Sequence, residues 1–140
     1  MVIKIEIYEL LKAFSMQKKC FKPIYEKYYD ETSPYKESFA KFVSRTTKSS
    51  FQMYWIIDNS IKVGQIWIAT KNDTAKLARL FVLPKYQNKG YATKAIIDIE
   101  KLYSQYYHWQ LKRKRKMFTY IKNSDINPTE KKKLSTIKWQ

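Results

Sequence analysis

The chain has 140 residues, 44% of them apolar, which suits one compact domain around a single core and excludes wholesale disorder. Its one cysteine, Cys20, excludes an internal disulfide framework and fits a reducing compartment. The start MVIKIEIYELL carries Lys4, Glu6 and Glu9, and no run of 18 apolar residues occurs, so neither a signal peptide nor a membrane span is expected and the reading is cytoplasmic. The formal charge of +16 divides evenly: residues 1–111 and residues 112–140 each carry a net +8, so half of the excess sits in the last fifth of the chain. The expected organisation is therefore a domain over 1–111 followed by a basic tail over 112–140, poorly ordered by composition.

In chain order, apolar residues at Ile7, Leu10, Leu11, Phe14, Met16 and Cys20 predict a helix over residues 5–21, with Pro23 expected to end it. Residues 25–33 read as an irregular connection. Ser33 and Pro34 predict the start of a second helix, with Glu37 in its first turn and Phe39, Phe42 and Val43 as its apolar stripe. Three strand-like runs follow at 51–58, 62–70 and 76–83, separated by the turn residues Asp58-Asn59-Ser60 and Lys71–Thr74. Pro84 stops the third. The run from Gly90 to Tyr103 predicts a helix with Ala92, Ala95, Ile96, Ile99, Leu102 and Tyr103 on one face, and residues 108–111 predict a short further strand.

The segment LFVLPKYQNKGYATKAI, Leu80 to Ile96, joins a strand to a helix through a proline and a loop. A helix N-terminus offers unpaired N–H groups and a partial positive charge, and a loop folded toward it makes a cradle for a diphosphate. Gly90 and Ala92 leave room for phosphate against the main chain. Asn88 tolerates the left-handed turn, and Lys89 adds charge.

Val82, Pro84, Gln87, Gly90 and Ala92 in this order resemble motif A of the GNAT superfamily of N-acetyltransferases. Two residues, Lys85 and Tyr86, separate the proline from the glutamine. The order of elements over residues 5–111 is similar too. The resemblance implies an α/β fold with a mixed, mostly antiparallel sheet flanked by helices, and acetyl-CoA as co-substrate with no metal. Main-chain groups of Leu80, Phe81 and Val82 would pair with the pantetheine amides. Gln87, Asn88, Lys89, Gly90, Tyr91, Ala92 and Thr93 would wrap the pyrophosphate. The strand at Trp109 would splay away, and a neutral amine, from a small molecule or a protein, would attack the acetyl carbonyl directly. Arg79 stands where some acetyltransferases place an acidic base, so no catalytic residue is named. His108, Cys20 and Glu37 read as structural or exposed groups rather than catalytic ones. Acceptor and oligomeric state are not legible.

Past His108-Trp109-Gln110-Leu111 the resemblance breaks off, and the superfamily's motif B with its last two strands is missing. Reading the third base of each codon with the first two of the next recovers it. Met117-Phe118 then forces valine and Trp139-Gln140 forces alanine, while A/T-leaning codons between them yield an asparagine, a tyrosine and a phenylalanine–glycine–tyrosine run. The expectation is a frameshift in the stretch encoding Lys112–Lys116 and weak or no turnover by the translated chain. The alternative is a basic nucleic-acid-binding protein that uses the Lys/Arg tail, a less favoured reading because the body is only moderately basic.

Overall fold

A computed structural model describes residues 1–111. Eight main elements follow in order: β1 (Val2–Lys4), α1 (Leu10–Tyr28), α2 (Phe39–Thr46), β2 (Phe51–Asp58), β3 (Ile61–Lys71), β4 (Thr74–Val82), α3 (Tyr91–Tyr103) and β5 (His108–Gln110). The strands form one sheet in the order β1-β2-β3-β4-β5. The first four are antiparallel neighbours, and β5 joins β4 in parallel. The basic tail, the proposed change of frame and the question of the last two strands lie outside the described residues.

The sheet separates two apolar layers, because side chains of a strand alternate between faces. On one side α3 buries Ala92, Ala95, Ile96 and Ile99 against Ile66, Ile68, Leu77, Leu80 and Val82. On the other, α1 and α2 bury Phe14, Phe21 and Phe42 against Trp55, Trp67 and Phe81. The Phe42 ring lies 5.2 Å from Phe14 and 5.8 Å from Trp67, so this layer is dominated by aromatic edge and tilted contacts.

Several expectations are corrected. Residues 2–4 form an edge strand ahead of the first helix, and a 3-10 turn, Ile7–Glu9, separates them from α1. The predicted helix start at Ile5 was too early, and Ile7 and Leu11 are exposed. Pro23 does not end α1. It sits on the solvent side, as does Lys19, whose carbonyl it deprives of a donor, so water can replace the missing bond. The helix instead stops at Tyr29, which is left-handed with φ 51°. Ser33 caps only the 3-10 turn Pro34–Lys36; the helix proper is capped by Ser38, whose hydroxyl accepts from the Lys41 N–H, and Glu37 precedes it. On α3 the predicted face holds except for Leu102, which is 43% exposed.

Candidate active site

The register of β4 against β3 shifts part-way along the strand. Trp67 faces Arg79 while the next residue, Ile68, faces Leu77, so Ala78 is an extra, bulged residue. A bulge bends its strand and interrupts pairing. It also shifts the alternation by one, which is why Ala75 and Leu77 before it and Leu80 and Val82 after it all enter the α3-side layer. β5 pairs only with Thr74, Ala75 and Lys76, before the bulge. Trp109 and Gln110 are thus paired with β4 where they are described, not splayed from it as expected, and past the bulge no strand among the described residues pairs with the β5 side of β4.

Just past the end of β4 the Leu83 N–H donates to the Val63 carbonyl at 2.8 Å. Alternation in an antiparallel pair then commits the main chain of Phe81 to Gln65 and turns that of Leu80 and Val82 toward the opening. Of the three strand residues predicted to pair with pantetheine, Leu80 and Val82 therefore present their peptide groups there and Phe81 presents its own to β3. The Val82 carbonyl already accepts from Gln87 Nε2 at 2.9 Å and from the Cys20 thiol at 3.2 Å. Burial pushes that thiol up to about 12, so it stays protonated and acts as a donor.

Pro84 ends β4 and starts a 3-10 turn, Pro84–Tyr86. The Gln87 side chain, reaching back to Val82, staples the following loop to the strand. Asn88 has φ 66° and Gly90 φ 82°, the two left-handed positions that carry the chain into α3. The first hydrogen bond of the helix runs from Lys94 N–H to the Gly90 carbonyl at 3.1 Å, and no side chain caps the N-terminus. The helix itself thus leaves the N–H groups of Tyr91, Ala92 and Thr93 without acceptors. Ala92 and Thr93 are buried, and Thr93 Oγ1 is a buried hydroxyl with no hydrogen-bond partner among the described residues. Such a group fits an acceptor supplied from outside the chain, so the residues present suit a diphosphate. The ammonium groups of Lys85 and Lys89 lie 5.1 and 5.9 Å from the Tyr86 ring centre, which gathers positive charge at the loop.

A polar network that the sequence did not announce roofs the α1 side of the opening. Arg79, the residue after the bulge, donates to Gln17 Oε1 at 2.8 Å and stacks 4.6 Å from the Trp67 ring centre. Gln17 is fully buried and donates to Glu37 Oε1 at 3.2 Å. Arg45 grips Glu37 through two bonds of 3.0 and 2.6 Å and covers Trp67 at 5.0 Å. Burial alone would raise the Glu37 pKa, but the bonds from Arg45 and Gln17 outweigh it and hold the carboxyl below its ordinary range. Glu37 is thus a structural anion matched by Arg45, not an open docking point for an amine. His108 is exposed beside Asp73, 3.6 Å away, at the end of β4 opposite the Gln87 loop.

A mostly antiparallel sheet with a bulged β4 and a strand–loop–helix with an uncapped N-terminus match the α/β arrangement expected above. The chain belongs to the acetyltransferase (GNAT) family, whose model matches residues 7–117. Among solved structures, it is similar to the PaiA N-acetyltransferase from Thermoplasma acidophilum in complex with coenzyme A, at 19% identity and TM-score 0.65, over 85% of this chain and 82% of that one. An aminoglycoside acetyltransferase, meta-AAC0020 from an uncultured soil metagenomic sample, in complex with sisomicin, is 13% identical with TM-score 0.62, over 82% of this chain and 78% of that one. The ribosomal-protein-S18-alanine N-acetyltransferase from Escherichia coli is 13% identical with TM-score 0.58, and the match covers 75% of this chain but 59% of that one. At these identities the likeness is one of fold. No curated protein sequence matches the chain.

Proposed function

We propose that this chain binds acetyl-CoA across the open edge of β4 and the N-terminus of α3, and that the fold is built to transfer the acetyl group to a primary amine. The observation that carries the reading is the uncapped start of α3 behind two left-handed residues, Asn88 and Gly90, with the Thr93 hydroxyl buried and unsatisfied beside it. Peptide N–H groups of Gly90 to Thr93 would hold the diphosphate, with Lys89 adding charge, and the peptide groups of Leu80 and Val82 would hold the pantetheine arm. Acetyl-CoA supplies an activated thioester. The protein's part is to position it along β4 and to exclude water. The acceptor is a small-molecule or protein amine, and the favoured location is the cytoplasm; no helix among the described residues is long and apolar enough to cross a membrane.

Coenzyme A should raise the melting temperature of the 140-residue chain, and Gly90→Trp should remove that response. No shift in the wild-type chain would refute the reading. The second part of the proposal is that the tail from Lys112 is translated out of frame and leaves turnover weak or absent. Support comes from the hidden motif and from the family match, which stops at residue 117. Sequencing the encoding DNA tests it: codons that preclude the hidden motif would end it, and so would robust acetyl transfer by this chain.

A further inference from the structure

We infer that Asp58, far from the loop in sequence, is a positioning residue that locks the start of α3 through Tyr91; the link to coenzyme A rests on the proposal above, whereas the lock itself does not. Asp58 closes β2, and the two residues after it, Asn59 and Ser60, have φ 48° and 69°. Two successive left-handed residues between paired strands make a tight hairpin with little freedom of its own. Its carboxylate Oδ2 accepts the Tyr91 hydroxyl at 2.5 Å, across 33 residues of sequence. Charge-assisted bonds of this length are among the stronger ones available to a side chain.

Tyr91 is the first residue of α3 and directly follows Gly90, the left-handed residue without a Cβ. Among the described residues no side chain caps the helix start, and the first helical bond forms only at Lys94. The Tyr91 ring packs on the α3-side core while its hydroxyl reaches the hairpin, so ring and bond together set the direction in which the first-turn N–H groups point. The tyrosine also holds the Asp58 charge at the far end of its side chain, where it is engaged rather than opposed to an anion at the amides.

The experiment uses the full chain and two readouts. In the free protein, amide hydrogen exchange is followed at Lys89 to Thr93. In the second, coenzyme A is titrated by calorimetry. Tyr91→Phe, which removes one oxygen, and Asp58→Ala should each accelerate exchange and weaken coenzyme A by about tenfold. The double variant should be no worse than either single, because one bond is lost in all three. Asp58→Asn keeps an acceptor oxygen but loses the charge, and should fall between wild type and Asp58→Ala. Unchanged exchange in Tyr91→Phe overturns the lock. Tighter coenzyme A binding by Asp58→Ala would mean that charge repulsion outweighs positioning, and overturns its functional role. A wild-type chain that ignores coenzyme A while exchange responds to both variants would remove the cofactor reading and leave the lock standing.

Discussion

Gly64 on β3 lies against the carbonyl of Phe81 on β4, so closely that a Cβ there would collide with that oxygen and sit 2.9 Å from Val82 Cα. The obstruction is backbone on both counts, and backbone cannot swing aside. This contact seats the half of β4 that borders the opening. Gly64→Ala should therefore cost about 1–3 kcal/mol in urea unfolding and also weaken coenzyme A, by displacing the main chain of Leu80 and Val82.

Gly90→Ala asks less of the chain than a bulky substitution but still places a Cβ at φ 82°. A loss of about 1–2 kcal/mol is expected. Chemical denaturation with and without coenzyme A separates this intrinsic strain, present in both titrations, from loss of the ligand response.

Phe42 has no exposed surface and links Phe14 to Trp67. Phe42→Ala should destabilise by about 3–5 kcal/mol, because it removes a fully buried ring from the centre of this layer. A thermal melt that moves by less than a few degrees would contradict the packing described for this layer.

Stability should fall in acid through two carboxylates. Glu37 is held below its ordinary value of 4.5 against the opposing effect of burial, by Arg45 and Gln17. Glu9 is held below it mainly by the hydrogen bond from Lys62, at 2.8 Å. Groups depressed in the folded state stabilise it fully above their unfolded value and lose that contribution as pH falls through the folded one. The unfolding free energy should thus be level above about pH 5 and decline below 4.5. Glu37→Gln should flatten part of the decline; an unchanged slope would argue against the Arg45 pairing.

The nucleic-acid reading has its own test. Deleting residues 112–140 should leave the coenzyme A response intact. If instead the full chain binds RNA or DNA with a steep salt dependence that vanishes on deletion, the tail is a working arm and not an out-of-frame product.

How much of this was legible depends on how local the cause is. Pro84 fixes its own backbone angle while Asn88 and Gly90 admit left-handed ones, so the strand–loop–helix segment could be read directly from its residues. The strands at 51–58 and 62–70 were equally clear from their aromatic and branched composition. β1 was not, since three residues carry no period. Pro23 misled because the rule that proline ends a helix ignores which side it faces. The bulge at Ala78 has no signature in composition, although it decides which face each later residue of β4 joins. The network of Arg79, Gln17, Glu37 and Arg45 joins α1, β4, and α2 with the residues just before it, through contacts up to 62 residues apart, and no spacing rule reaches across such distances.

After the bulge, β4 sends Leu80 and Val82 into one layer and Phe81 into the other. That short stretch is therefore a hinge pin shared by both halves of the interior. A substitution there would disturb both layers at once.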